Sequence, residues 1–277
     1  MYISKQKKEL SKERYSYLKR TKWRKMSIFM VQILLLAGFF AVWEICANLK
    51  IIDSFITSQP SRVFKTFANL TSNDLLLHLG VTCYETIVGF VLGACMGTLM
   101  AVVLWWSPYI SKVCEPFLVV LNSLPKIALG PIIIIWVGAG TNAIIVMALA
   151  ISLIVTVLEM LNGFMHTDQD KIKMVQTFGA ARRQIFTKVI FPSNLSTLFN
   201  SLKINIGLSL VGVIAGEFLV SKAGLGYLIV YGGQVFKLDL VMTSVIILSA
   251  VAALLYEGVV LLERLVNKCI NHTGAGA

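Results

Sequence analysis

Residues 166–192 read His166-Thr-Asp-Gln-Asp-Lys-Ile-Lys-Met-Val-Gln-Thr-Phe-Gly-Ala-Ala-Arg-Arg-Gln-Ile-Phe-Thr-Lys-Val-Ile-Phe-Pro192, the one long polar stretch between strongly apolar blocks. Its apolar side chains recur every three or four residues, which is the spacing of one face of an α-helix. These positions are Ile172, Val175, Phe178, Ile185, Phe186 and Val189. The pattern predicts an amphipathic helix, or two helices in succession, rather than a loose loop.

The ends and the middle of this stretch carry residues that set helix boundaries. Asp168 is a candidate N-cap, because its carboxylate can accept hydrogen bonds from the free amides of a first helical turn. Gly179 costs a continuous helix about 1 kcal/mol and so predicts a break, and Pro192 predicts the end. A solvated helical linker has the same periodicity, so the pattern by itself leaves that alternative open.

The composition is that of an integral membrane protein. The 277 residues are 57% hydrophobic and 14% charged, with a mean hydropathy of +0.78, which is too apolar for an ordinary soluble domain.

Ten of the 25 Lys and Arg residues lie in a basic N-terminal arm, residues 1–26. No basic groove with interleaved aromatic residues is evident, so the net charge of +11 predicts no nucleic-acid partner.

Six apolar blocks are long enough to cross a bilayer core of about 30 Å at about 1.5 Å per residue. The first block lacks a small-residue cleavage site, so it is predicted to be a retained helix rather than a secretory signal. Residues 27–268 are thus predicted to form a transmembrane domain, and residues 269–277 a short tail. The predicted spans are 27–49, 79–106, 114–137, 143–165, 195–221 and 239–263.

Lys and Arg are distributed unevenly between the two predicted sides of the membrane. Eighteen fall on the side of the N-terminal arm and five on the other, with Lys126 and Lys203 inside spans. Because cytoplasmic flanks are enriched in Lys and Arg, this bias predicts that both termini are cytoplasmic. Residues 166–192 then lie inside the cell, where a cytosolic partner can reach them.

Polar residues inside the predicted spans are candidates for a translocation path. Pro125 and Pro131 interrupt the third span, and backbone groups freed at membrane depth need protein or water partners. The candidate path residues are Asn122, Ser123, Lys126, Asn205, Ser209 and Glu217. For Lys126 and Glu217, as for Lys203, a purely structural role is equally open. Gly89, Gly93 and Gly97 share one helix face and predict close packing against another helix.

The sequence carries no pattern for chemistry of its own. The phosphate-binding Gly-x-x-x-x-Gly-Lys-Ser/Thr motif is absent, and no Ser/His/Asp or paired-carboxylate arrangement is convincing. The five cysteines have no metal-ligand or disulfide spacing. We therefore predict neither an enzyme nor a metal site, with a membrane hydrolase as a weak alternative.

Two stretches carry a resemblance to a known family. In residues 166–192, Gly179 and the run from Val189 to Pro192 are similar to the Gly and Ile-x-Leu-Pro positions of the cytoplasmic EAA loop of ABC-importer permeases. Lys173, Met174 and Val175 stand where that loop has Glu-Ala-Ala. In residues 211–228, Glu217 and the Gly-Leu-Gly-Tyr run that begins at Gly224 resemble permeases of the nitrate, sulfonate and taurine branch. We call residues 166–192 the coupling segment.

The resemblance implies an all-α membrane protein with the six-helix, MetI-like fold of type I ABC importer permeases. It also implies a bacterial plasma-membrane assembly with a second permease, two cytosolic ATPases that hold ATP and Mg, and an extracytoplasmic binding protein. Membrane lipid is a further expected contact, and no cofactor is expected in this chain. A secondary transporter and a non-transporting assembly subunit remain alternatives, and the transported substrate is not predicted.

The resemblance places the coupling segment in a groove on the ATPase. Ile172, Phe178, Ile185 and Phe186 are then the expected apolar contacts. Arg182 and Arg183 are expected to meet acidic groups of the ATPase or lipid phosphates, and Gly179 to supply the turn. The complete predicted coupling set is Ile172, Lys173, Thr177, Phe178, Gly179, Arg182, Arg183, Ile185, Phe186 and Pro192.

Overall fold

The computed structural model describes residues 12–71 and 74–274, and this part of the chain is helical without strands. The α-helices are α1 Lys12–Asn48, α2 Ser54–Thr57, α3 Pro60–Thr71, α4 Leu75–Trp106, α5 Pro108–Ser123, α6 Gly130–Val137, α7 Thr141–Met165, α8 Gln169–Thr177, α9 Arg182–Ile185, α10 Phe191–Ser193, α11 Leu195–Val220, α12 Leu225–Gln234 and α13 Leu238–Gly274. A 3₁₀ turn, Lys126–Leu129, precedes α6, and a π-helical turn, Phe186–Ile190, joins α9 to α10.

Five of the described helices are long and apolar enough to cross a membrane: α1, α4, α7, α11 and α13. Helix α5 and the segment Lys126–Val137 meet at an angle of 86° and together could provide a sixth span. The predicted all-helical membrane architecture is therefore confirmed, with five or six candidate spans in the described part of the chain.

The chain divides into two compact units, residues 1–65 and 66–277. In the first unit, α1 is a single helix of 37 residues, about 55 Å long at 1.5 Å per residue. Glu44 near its end accepts a hydrogen bond from the backbone amide of Ser61 at 3.0 Å. Asp53 caps α2 by accepting from the amide of Phe55 at 2.8 Å.

In the second unit, α4 and α7 approach closely along a line of small residues. Gly89, Gly93 and Gly97 of α4 face, in that order, Ala148, Ser152 and Thr156 of α7. A β-carbon added at Gly93 would lie 2.0 Å from Ser152 Oγ, so only glycine allows this separation of the two backbones. The predicted packing role of the three glycines is confirmed.

Helix α11 packs against another side of α7, and glycines again allow the two helices to approach closely. Gly212 lies against the backbone of Ala148, and Gly216 against Ile144. Near the other end of α7, a β-carbon at Gly163 would lie 3.0 Å from Thr197. As residue numbers fall along α7 they rise along α11, so the two helices are antiparallel and α7 is the central helix of the bundle.

Helix α5 begins earlier than predicted and ends at the predicted break. The third span is predicted to begin at residue 114, but Ser107 Oγ accepts a hydrogen bond from Ile110 N at 3.4 Å and caps a helix that starts at Pro108. The chain bends at Pro125 as expected. Pro131 lies in the first turn of α6, where its missing N–H is not needed, so it causes no second break.

Candidate coupling surface and substrate path

The coupling segment folds as two short helical stretches joined by a turn at Gly179. Asp168 Oδ1 accepts a hydrogen bond from Asp170 N at 3.0 Å, which confirms the predicted N-cap of α8. Gly179 has φ = +76°, a left-handed conformation that favours glycine, and this confirms the predicted break. Gln184 then reaches back to accept from Ala181 N at 2.8 Å and starts α9.

Pro192 does not end the helix, contrary to the prediction from its ring. The helical backbone continues through the π-turn and α10, and Asn194 N donates to Ile190 O at 3.2 Å just before α11 begins. In the π-turn the amide of Phe191 donates to Phe186 O, five residues back. The π-turn lies immediately before Pro192, which has no backbone N–H to donate. The helical backbone can therefore continue past Pro192.

One face of the coupling segment is buried in the chain's own core. Ile185 and Phe186 are only 6% and 9% exposed, and the Phe186 ring lies 5.0 Å from that of Trp105 and 5.4 Å from that of Phe164. Ile172 packs partly buried against the same cluster. The buried cluster consists of Ala101, Leu104, Leu118, Val157, Met160, Leu161, Phe164, Ile185, Phe186 and Ile190. Both side chains anchor the segment to α4, α5 and α7, and contact of Ile185 and Phe186 with an ATPase stays a prediction.

The other face presents apolar side chains to the outside. Phe178 is 80% exposed and Met174, four residues earlier, is 58% exposed. Lys173 and Thr177 are exposed beside them, and Thr177 Oγ1 donates to Met174 O at 2.6 Å near the end of α8. Met174 was not among the predicted coupling residues, although its spacing from Phe178 places both on one helix face.

The two arginines of the segment have different surroundings. Arg182 lies over the ring of Trp105 at 5.2 Å and that of Trp106 at 5.9 Å, and its Nη2 donates to Trp105 O at 3.4 Å. It therefore interacts with the end of α4 while remaining exposed. Arg183 is exposed and forms no ion pair within the described part of the chain, so it is free to meet an acidic group.

Glu217 holds the loop after α11 against α4. Its Oε1 accepts from Thr82 Oγ1 at 2.6 Å and its Oε2 from Gly226 N at 2.5 Å, while Leu225 N donates to Thr82 Oγ1 at 2.8 Å. Gly224 has φ = +118°, and a β-carbon there would overlap the carboxylate. The carboxylate thus lies at the N-terminus of α12, where negative charge is favourable. Since Glu217 is 1% exposed, it joins helices inside the chain and does not line an exposed path.

Asn205 and Ser209 are also buried in the bundle, with 0% exposure each. Asn205 Nδ2 donates to the carbonyl of Ser201 at 2.9 Å and to its Oγ at 3.0 Å. Both residues were predicted to line a path, and both side chains lie inside the helix bundle of one chain. The two residues lie one turn apart on α11, on a face that is internal.

Asn122 and Ser123 are exposed and Lys126 is half-buried at the bend between α5 and α6. Lys126 Nζ donates to Asn122 O at 2.9 Å, and Ser123 Oγ donates to Val119 O at 3.0 Å. The ammonium group has no carboxylate partner in the described residues. These three predicted path residues therefore remain together at a surface, with a charge that further groups can approach.

Lys203, for which a path role and a structural role were both open, forms an ion pair. Its Nζ lies 2.6 Å from Glu263 Oε2, and both side chains are about one-fifth exposed, at 20% and 21%. The pair joins α11 to α13. A structural role for Lys203 explains why a cation is present in this span.

Exchanging the charges of the Lys203–Glu263 pair should preserve the ion pair. Lys203→Glu would set two partly buried carboxylates against each other and should lower the free energy of unfolding by about 2 kcal/mol. Adding Glu263→Lys should recover most of that loss. Thermal unfolding of the detergent-purified protein measures both effects, and a double variant no more stable than Lys203→Glu would contradict the pairing.

Comparison with known proteins identifies the family. The profile of the family described as "Binding-protein-dependent transport system inner membrane component" matches residues 93–271. The chain belongs to this family. A probable ABC transporter permease of Haemophilus influenzae is 29% identical to this permease over 233 residues, covering 83% of this chain and 94% of the relative. The taurine transport system permease of Escherichia coli is 25% identical over 255 residues, covering 89% and 92%.

Solved structures show that this permease shares a known fold. The inward-facing MetNI methionine ABC transporter aligns with a TM-score of 0.62 at 20% identity, covering 69% of this chain and 95% of the other. A bacterial ABC transporter involved in import of the acidic polysaccharide alginate also gives a TM-score of 0.62, at 15% identity, covering 88% and 98%. The predicted MetI-like permease fold is confirmed.

Family membership decides between the alternatives left open by the sequence. The protein is a multi-pass inner-membrane permease subunit of an ABC importer, which works with a binding protein. The permease is not an enzyme, since ATP hydrolysis belongs to the partner ATPase. The expectations of an importer and of a separate ATPase partner are therefore confirmed.

Proposed function

We propose that this permease couples a cytosolic ATPase to solute movement through the exposed pair Met174 and Phe178. The observation that carries this proposal is the division of the coupling segment into two faces. One face is buried against the ends of α4, α5 and α7, and the opposite face exposes two large apolar side chains. A surface of this kind fits an apolar groove on a protein partner. Lys173 and Arg183 beside it favour a groove with acidic groups.

The buried face gives the segment its mechanical role. Interior side chains pack at crystal-like density and transmit displacement rather than absorb it. When two ATPases close around ATP and Mg, each docked segment moves with its ATPase. Phe186 and Ile190 then carry that movement to Leu104 and Phe164, which lie in the same buried cluster. The inner ends of α4 and α7 shift together, and the assembly changes between its inward-open and outward-open states.

The path is proposed to lie between two copies of this chain, each contributing the bend around Lys126. Besides Asn122, Ser123 and Lys126, α11 presents an exposed stripe at helical spacing. The stripe consists of Asn200, Ile204, Gly207, Val211 and Phe218. A second copy facing this stripe would enclose a path lined by both polar and apolar groups. The excess of Lys and Arg on the side of the N-terminal arm supports cytoplasmic termini and a cytoplasmic coupling segment.

The cargo is proposed to be a small solute delivered by an extracytoplasmic binding protein. Relatives are named for aliphatic sulfonates, taurine, riboflavin and nitrate, which share small size rather than a single charge. The two Lys126 side chains of a homodimer would face an anion favourably. A neutral solute would instead use the amides of Asn122 and the hydroxyls of Ser123.

Reconstitution tests the proposed function. The affinity-tagged full chain is purified, its co-purifying ATPase is identified, and both are placed in proteoliposomes with the cognate binding protein. Uptake that needs ATP and the ATPase supports the proposal. Full binding of the ATPase and full uptake after Met174 and Phe178 are both changed to Asp would overturn the proposed coupling through this exposed pair.

Gly179→Val should uncouple uptake from ATP hydrolysis in the same assay. A β-carbon at this position meets no other atom within 4 Å, so the substitution acts through the backbone conformation at φ = +76° and costs about 1–2 kcal/mol. We expect the variant to reach the membrane and to bind the ATPase with several-fold lower uptake per ATP hydrolysed. Gly179→Asn is the matched control, because asparagine tolerates the left-handed region better than valine. This variant should lose less uptake per ATP hydrolysed than Gly179→Val.

A further inference from the structure

Helix α1 exposes a dense cluster of cations directly before its apolar span. The cluster, which we call the cationic collar, consists of Lys19, Arg20, Lys22, Arg24 and Lys25, and all five side chains are exposed. None of the five forms an ion pair in the described part of the chain. No acidic residue occurs between Glu13 and Glu44. The collar is therefore an uncompensated charge of five at one end of a membrane span.

The collar surrounds the helix instead of forming one face. At about 100° per residue, its members point near 0°, 100°, 300°, 140° and 240° around the axis, leaving no gap wider than about 100°. A groove on a folded protein contacts one side of a helix. A ring of lipid headgroups contacts every side of a helix that leaves the membrane, so the angular distribution favours lipid.

The distance of the collar from the start of the span also favours contact with lipid headgroups. Lys19 lies about 12 Å along the axis from Ser27, where the predicted span begins, at 1.5 Å per residue. The headgroup layer extends about 5–8 Å beyond the hydrocarbon core, and long Lys and Arg side chains reach several ångströms further along the helix. Tyr17 and Trp23, 68% and 62% exposed, are residues typical of the membrane interface. Most of the collar therefore lies within reach of lipid phosphates.

We propose that the cationic collar binds the headgroups of acidic phospholipids. Each Lys or Arg near an anionic membrane surface contributes about 1 kcal/mol, or roughly fivefold in affinity. The attraction decays within a Debye length of about 8–10 Å, so it acts on the lipids that touch α1. The N-terminal arm thus selects its lipid surroundings in addition to biasing the orientation of the chain. This inference depends on α1 spanning the membrane and is independent of the solute and of the ATPase.

Spin-labelled lipids test the proposal on the full-length chain. The protein is reconstituted in phosphatidylcholine vesicles, and the association of labelled phosphatidylglycerol is compared with that of labelled phosphatidylcholine by electron paramagnetic resonance. We expect a preference of about fivefold for phosphatidylglycerol at low salt, falling toward one at about 0.5 M salt. The variant Lys19→Gln, Arg20→Gln, Lys22→Gln, which keeps two of the five cations, should lower the low-salt preference to about half of its original value.

Controls separate lipid binding from the alternatives. The collar variant keeps Arg24 and Lys25 beside the span, and labelling verifies its orientation. Changing Lys171, Lys173 and Lys188 to Gln removes three exposed cations elsewhere and should leave the preference intact. An unchanged preference in the collar variant would overturn the proposal, and reduced co-purification of the ATPase with it would identify the collar as a protein-docking surface. Loss of the wild-type preference when inorganic phosphate replaces chloride at equal ionic strength would also overturn it, in favour of a phosphate site.

Discussion

Gly93→Leu should abolish recovery of folded permease. Any β-carbon at this position lies 2.0 Å from Ser152 Oγ and 3.1 Å from Ser152 Cβ, and leucine adds three more carbons between two helices that already touch. Overpacking of this kind costs about 3 kcal/mol or more, and in a membrane the small-residue contact is itself what associates the helices. The measurement is the yield of monodisperse protein after detergent extraction and size-exclusion chromatography.

Gly80→Leu is the matched control on the same helix. A β-carbon at Gly80 meets nothing within 4 Å, so the identical change should leave the yield near that of the unmodified protein. Gly97→Ala should fall between the two, since its β-carbon would lie 2.6 Å from Thr156 Cβ. Equal yields for Gly93→Leu and Gly80→Leu would show that α4 and α7 do not pack as described.

The helices could be predicted from the sequence because hydropathy is a local property. Five of the six long apolar blocks became single helices, and the block that contains Pro125 became α5 and α6. The four-residue spacing of Gly89, Gly93 and Gly97 correctly indicated a packing face. The identity of the opposite helix could not be read from that spacing. Ser152 is buried on α7, and its close approach to Gly93 depends on how the whole bundle assembles.

The site was predicted less completely because its residues contact side chains that are far away in the sequence. Glu217 and Thr82 are 135 residues apart, so a carboxylate that holds a loop against α4 looked like a path residue. Periodicity showed that the coupling segment has apolar faces but not that Phe186 faces the chain's own core while Phe178 faces outward. Arg182 was expected to reach a partner, and its interaction with Trp105 and Trp106 depends on where α4 ends.

Phe178→Asp should reduce ATP-driven uptake by about 30-fold or more while leaving the folded permease in the membrane. The side chain is 80% exposed, so the substitution costs the isolated chain little. In a docked complex the same position loses an aromatic contact worth about 2 kcal/mol or more and places a carboxylate in an apolar groove, where burial of an unpaired charge is unfavourable. Uptake in proteoliposomes and the amount of ATPase retained on the tagged permease measure the effect.

Two companion variants show whether the loss comes from the proposed surface. Phe178→Leu keeps an apolar side chain and should retain most uptake, and Met174→Asp, on the same face of α8, should reproduce the defect of Phe178→Asp. Because the buried face of the segment is untouched in all three variants, their thermal unfolding should match that of the unmodified permease. Full ATPase binding and uptake by both aspartate variants would mean that the exposed face of α8 does not dock, and the coupling role would then have to be assigned to another surface.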